Sequence, residues 1–239
     1  MINYFFRLQN FDKLFNIFTK ILPILIIFLT IIAGYKIYYS PDDYQQSNAV
    51  KIMYIHVPSA WMSLLIYSLM AIFNVSAFIW KNRFYYLIAR GIAEVGAVFT
   101  LITLVTGAIW GKPIWGTWWA FDARLTSVLL LFFLYLAYII LYDNIADRLK
   151  AEKISAIIAI VGFVNIPLIK FSVEYWNSLH QKASILRSGG VAIHSAFLTP
   201  LLLTFAIYFF IFILFSLIRI KTILNLYKIN SLTINNFSQ

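Results

Sequence analysis

Six apolar segments, each close to the roughly 20 residues that carry a helix across a hydrocarbon core about 30 Å thick, limit this chain more than any other feature. They lie near Ile21 to Tyr39, Val57 to Trp80, Gly91 to Ile109, Leu125 to Tyr142, Ile154 to Phe171 and Ala196 to Ile218. Lipid offers no partner to a backbone N–H or C=O, so segments of this length satisfy their own backbone as helices. The expected fold class is therefore all-α, an integral membrane bundle of six transmembrane helices. With 62% hydrophobic and 12% charged residues, the chain lacks the polar surface of a soluble domain. No linker or internal repeat divides residues 1–239, which read as a single six-helix transmembrane domain. The first segment reads as a retained span, because its apolar run is longer than a signal sequence needs and no small-x-small cleavage site follows.

The formal charge of +10 comes from short basic groups between apolar runs, which is a topology signal and not a nucleic-acid surface. The N-terminus, second and fourth loops and C-terminal tail hold 12 Lys and Arg, among them Arg7, Arg83, Arg90, Arg148 and Arg219. The opposite side holds seven, namely Lys36, Lys51, Lys112, Arg124, Lys170, Lys182 and Arg187. Positive charge stays inside, so both termini are expected in the cytoplasm. The external side then receives loops at about 40–56, 110–124 and 170–195. Cytoplasmic loops this short leave no room for a nucleotide-binding domain, and no phosphate loop is present. With no cysteine, the chain forms no disulfide, no thiolate metal site and no covalent CxxCH haem link of its own.

All three histidines fall in or beside the external loops: His56 in MYIHVPSAW, His180 in SVEYWNSLHQ, and His194 before the last span. Pro58 suits the first turn of the second helix. Imidazole is an axial ligand for haem iron, but it is also an ordinary hydrogen-bonding residue at a membrane interface, and position alone leaves all three open. The densest unusual stretch is WGKPIWGTWWAFDARLT, Trp110 to Thr126, with four of the seven tryptophans. An interfacial aromatic belt accounts for part of it. Interleaved Gly111, Pro113 and Gly116 argue in addition for a shaped turn that offers a flat aromatic shelf. A porphyrin, a quinone head group or a polyprenyl-linked sugar would each suit such a shelf. Asp122 fits the start of the fourth helix, where the dipole favours negative charge. Arg124 fits either a snorkelling side chain or, with Lys112 or Lys182, a clamp for ligand carboxylates. Glu94 is spaced to pair with Arg90 at i, i+4, and Glu174 is available to orient a histidine or to serve a docking surface.

The string WGTWWAFD resembles the WGxxWxWD signature of the haem-handling protein family. WGKPIWGTWW followed by DARLTS is similar to its cytochrome c maturation protein C branch, also called haem exporter protein C. IMYIHVPSAW, GAVFTLITLVTGAIWGKP and NIPLIKFSVEYWNSLHQ carry the same likeness in the same order, covering roughly residues 50 to 182. The resemblance implies that His56 and His180 are the axial ligands of haem iron, and that Trp115, Trp118 and Trp119, with Gly116 and Asp122, form the aromatic motif. Phe121 departs from it, standing where the signature has Trp; Phe keeps the ring face and loses the indole N–H donor.

What the resemblance implies further is a carrier and not an enzyme. Haem b is transiently bound cargo, held at the outer face and passed to the haem chaperone E. The implied partners are an ABC ATPase subunit, a second membrane subunit and a small single-span subunit, in a bacterial inner membrane with the haem site periplasmic or, alternatively, in the mitochondrial inner membrane. The rival reading is a permease subunit of an ABC transporter that exports haem or another small solute. A permease needs polar positions at mid-bilayer depth, and the spans offer chiefly Asn74, Thr103 and Asn165. A cytochrome b subunit would carry histidines inside its spans. A polyprenyl-sugar enzyme would gather more external acids than Asp42, Asp43, Asp122 and Glu174.

Overall fold

The computed structural model describes residues 8–176, 178–180, 190 and 192–237. Arg7, Lys182 and Arg187, weighed above, lie outside the described residues. Six helical stretches are long and apolar enough to cross a membrane, and the described residues contain no strand beyond an isolated bridge from Asp43 to Ser47. The elements are α1 (Leu8–Tyr38), a short 3₁₀ turn (Asn48–Ile52), α2 (Met53–Trp80), α3 (Arg83–Trp115), α4 (Ala123–Asn144), α5 (Arg148–Gly162), α6 (Asn165–Tyr175) and α7 (Ser195–Phe237).

Every span expected from the apolar runs is present, but the helices overrun them. At 1.5 Å per residue, the 33 residues of α3 reach about 50 Å, some 20 Å more than the hydrocarbon core. Hydropathy marks only the part inside lipid. Two expectations change as a result. Helix α2 begins at Met53, so His56 sits in its first turn and Pro58 lies inside the helix. Helix α3 continues through Gly111 and Pro113 to Trp115, so the irregular turn shrinks to the seven residues from Gly116 to Asp122. Gly116 ends α3 at φ +75°, a conformation glycine adopts without a Cβ penalty.

The fifth span, expected as one run, is two helices. Pro167 has no N–H for the Phe163 carbonyl, which instead accepts from Ile166 at 3.0 Å in a tighter i−3 bond. Val164 bonds Val161 in the same way at 3.2 Å, so the chain turns between Gly162 and Asn165. Asn165 reaches across to donate to the Ser127 carbonyl at 2.8 Å, and this fixes the start of α6 against α4.

Helices α2 and α3 form the central hairpin. Helix α7 packs on both of them and on α1, α4 packs on α3, α5 and α6, and α5 closes against α2. Tyrosines fill the centre: Tyr67, Tyr135, Tyr138 and Tyr142 are fully buried, and Tyr135 donates to the Ser63 carbonyl at 2.8 Å. At the end of α3 remote from Trp115, Arg90 donates to Asp143 (3.0 and 2.5 Å) and to Glu94 (2.7 Å), while Arg219 binds Glu94 from α7. The expected Arg90–Glu94 pair thus belongs to a network joining α3, α4 and α7. Arg83 binds Glu152 at 2.9 Å through two nitrogens, and Arg148 stacks 4.0 Å over Tyr142.

Gly96 makes room for the Tyr135 ring, which would lie 2.4 Å from an added Cβ, whereas a Cβ on Gly34 in α1 meets nothing. Gly96→Ala is expected to destabilise by about 1–3 kcal/mol through overpacking. Gly34→Ala should leave stability unchanged or slightly raised, since alanine is the better helix former. Unfolding in detergent reads both, and equal effects would contradict the packing described.

Candidate histidine–tryptophan site

Both retained histidines meet the last three turns of α3. Gly107, Gly111 and Trp115 form one i, i+4 row there. His56 of α2 lies against Gly107, where an added Cβ would come within 3.0 Å of its Cε1. Its Nδ1 is 3.1 Å from Thr106 Oγ1, and its ring meets Trp110 edge-on with centroids 5.6 Å apart. Trp110 in turn donates its indole N–H to Gln46 at 3.0 Å, which ties the loop before α2 to the end of α3. At the other end of the row, Trp115 folds back over Gly111, as helical side chains lean toward the N-terminus. The Trp115 ring meets the His180 ring edge-on at 5.0 Å.

Asp122 holds the opposite side of His180. It caps α4, accepting the N–H groups of Arg124 at 2.8 Å and Leu125 at 3.3 Å. It also accepts from Leu179 N at 2.9 Å, across 57 residues of sequence, and its Oδ1 stands 3.6 Å from His180 Nδ1. Burial pushes this carboxyl up, but hydrogen bonds from Ser178, Leu179, Arg124 and Leu125 outweigh burial and hold it below its ordinary value. Asp122 is therefore an anion at neutral pH. The helix-start role expected for it is observed, together with a contact to His180 that the sequence reading had considered only for Glu174.

Arg124 reaches α6, donating to Ser172 Oγ and the Lys170 carbonyl at 3.3 Å each, and the charge of Glu174 bears on it. Its own charge bears on both His180 and His56, and His180 bears on His56, so the three groups share one electrostatic neighbourhood. Lys112 donates to the Gly116 carbonyl at 3.1 Å and lies 5.9 Å over the Trp118 ring. Trp118 is exposed and Trp119 half-buried. Phe121, 94% exposed, meets Trp119 edge-on at 6.5 Å with the ring planes 82° apart. His194 is exposed and does other work: its Nδ1 accepts the Ala196 N–H at 3.2 Å and its carbonyl accepts from Phe197 and Leu198 at the start of α7.

An open cleft of about 460 Å³ lies beside His180, lined by Phe121, Asp122, Val173 and Trp176 among others. His56 and Trp115 are outside that lining. Thr106, Gly107 and Gln46, which position His56 and Trp110, carried no distinguishing signal in the sequence beyond being small or polar near the end of an apolar run. Among the described residues no three His, Cys, Asp or Glu side chains gather as a metal cage.

The fold and site define a polytopic membrane protein with two tryptophan-packed histidines at one end of its bundle. The family model described as heme exporter protein C matches residues 4–235. A heme exporter protein C of Bradyrhizobium diazoefficiens is 42% identical over 198 residues, 82% of this chain and 75% of that protein. A protein of Marchantia polymorpha, described as ccmC-like, mitochondrial and of cytochrome c biosynthesis, is 46% identical over 82% of this chain and 84% of its own length. The heme exporter protein C of Escherichia coli K12 is 48% identical over 60% of this chain and 58% of its own. The chain belongs to the heme exporter protein C family.

Burial pushes the His180 imidazole down and the Arg124 charge adds to this; Asp122 pulls the other way, and the result is about 4 against an ordinary 6.5. A depressed histidine is native in its neutral form, so its share of stability is complete above 6.5 and is lost as pH falls toward 4. In ¹⁵N-histidine NMR of the haem-free protein, His180 should remain neutral at pH 5.5. A midpoint near 6.5 would contradict the buried setting.

Proposed function

We propose that this chain is a haem carrier of cytochrome c maturation, which holds haem b at the outer membrane face and yields it to the haem chaperone E. The observation that carries the reading is the arrival of His56 and His180, 124 positions apart in sequence, at the two ends of one helical row, each ring braced by a tryptophan. Haem fits the residues present. Neutral imidazole is the ligand form. The cleft of about 460 Å³ beside His180, walled by Phe121 and Trp176 and not reaching His56, lies within the roughly 300–1,000 Å³ range of small-molecule sites. Bound haem would supply an iron with two open axial positions, taken by His56 and His180. Trp115, Trp118, Trp119 and Phe121 offer ring faces and edges to the macrocycle, and Arg124 has the guanidinium to pair with its carboxylates.

The termini are cytoplasmic in this reading, which sets the site on the periplasmic side of a bacterial inner membrane or the equivalent side of the mitochondrial one. The relatives' names speak of heme export and cytochrome c biosynthesis, and the partners in this reading are an ABC ATPase subunit, a second membrane subunit and a small single-span subunit. Against the permease alternative, the mid-span polar groups serve helix contacts. Asn74 donates to the Met70 carbonyl, Thr103 to Phe99 and Ser59, and Asn165 to Ser127. These bonds brace neighbouring turns and helices.

Purified from haem-replete cells, the protein should show the absorption spectrum of low-spin, two-histidine haem. His56→Ala and His180→Ala should each change the spectrum, and the double variant should lose the pigment. An unchanged spectrum in the double variant would sink the ligand assignment.

A further inference from the structure

The two histidines are backed by different groups. The Thr106 hydroxyl has one proton, and at 2.6 Å the Ile102 carbonyl is its partner, with the Thr103 carbonyl a second acceptor at 3.4 Å. The lone pair facing His56 Nδ1 at 3.1 Å therefore accepts, which makes Nδ1 of His56 the N–H donor. Neutral imidazole carries only one ring proton, so Nε2 of His56 keeps its lone pair. For His180, Nδ1 is buried without a hydrogen bond among the described residues, and the nearest ion partner is the Asp122 carboxylate at 3.6 Å. That carboxylate is anchored by three backbone N–H groups and is an acceptor only. The neutral tautomer that suits it again has Nδ1 protonated and Nε2 free. A small ring rotation would close the contact to a hydrogen bond, as contacts in ligand-free sites commonly tighten on binding.

We propose that Asp122 and Thr106 are positioning residues that aim both Nε2 atoms outward and make the two ligands unequal, with His180 the firm ligand and His56 the exchangeable one. The proposal rests on the haem-carrier reading. A carboxylate behind an imidazole raises its basicity as a ligand, whereas the neutral Thr106 hydroxyl and Thr103 carbonyl behind His56 do less. Transfer then follows an order. The bond from iron to His56 Nε2 breaks first and an incoming donor takes that position, while His180 holds the haem until the end. Asp122 acts through His180 and need not touch haem.

The test uses the full chain, haem-loaded, in detergent. Asp122→Asn keeps a capping oxygen and removes the charge, and it should raise the haem midpoint potential, because a weaker donor stabilises ferric iron less. Thr106→Val should raise it by less, and Thr106→Ser should restore it. Transfer of haem to apomyoglobin reads how firmly each ligand holds. His56→Gly should slow-release its haem through His180, with His180→Gly releasing about tenfold faster or more, in keeping with the 10–100-fold worth of such supporting groups. Adding Asp122→Asn to His56→Gly should speed release by a similar factor. Equal release from the two glycine variants, the reverse order, or an unmoved potential in Asp122→Asn overturns the proposal while the carrier reading stands. If wild-type protein binds haem without a two-histidine spectrum, the carrier reading fails and this proposal with it. Should Asp122→Asn not fold, the two glycine variants decide the order by themselves.

Discussion

The closeness of α2 to α3 governs the rest of the molecule. In lipid no hydrophobic gain drives two helices together, so close approach depends on small residues and on hydrogen bonds between helices. Gly107 lets the His56 ring reach the α3 backbone, and Thr103 bonds Ser59 at 3.2 Å between the same helices. One layer further in, Gly96 admits the Tyr135 ring from α4, whose hydroxyl bonds the Ser63 carbonyl of α2. A bulkier residue at Gly107 would press on the His56 ring, and one at Gly96 would displace the Tyr135 ring. The site is thus set by helix packing on one side and by a capped helix start at Asp122 on the other. Neither support is a free loop.

Much of the fold was legible in the sequence because hydropathy answers one question well, namely which residues lie in lipid. It does not say where a helix ends in water. Met53 to His56 and Gly111 to Trp115 were read as loop for that reason, although they are the turns that build the site. The broken fifth span was missed although its cause is written in the chain. Pro167 withdraws the N–H that Phe163 needs, but a proline inside an apolar run is also tolerated within one helix, as Pro23 in α1 shows. The choice depends on whether a neighbour stabilises the turned form, and Asn165 bonding Ser127 across 38 residues does so.

The site divides in the same way. The histidines of the external loops and a tryptophan cluster denser than an ordinary aromatic belt were legible in the chain. Their supports were not, because Thr106, Gly107 and Gln46 are unremarkable until a fold brings them 50 or more residues along the chain to a partner. Asp122 was read correctly as a helix start and incompletely as a site residue, since its bond to Leu179 spans 57 positions. Phe121 shows the opposite case. The WGxxWxWD signature that the sequence resembles has tryptophan there, but at a position 94% exposed any acceptor of an indole N–H is open to water, so phenylalanine strands no buried acceptor.

The two ends of the bundle are built to opposite rules. At the basic end, Arg90 is buried and paired with two carboxylates, Arg83 grips Glu152 with two nitrogens, and Arg148 lies between two tyrosine rings. Removing one partner there leaves a buried charge unmatched, which makes that end costly to disturb. At the histidine end hydrogen bonds hold Trp110, His56 and Asp122, whereas the His180 ring itself is held by an edge-on tryptophan and a carboxylate 3.6 Å away, beside an open cleft. For the proposed carrier role, binding free energy spent on a rigid, closed pocket would have to be recovered at release, whereas an open site on a locked base lets the two histidine bonds give way one after the other.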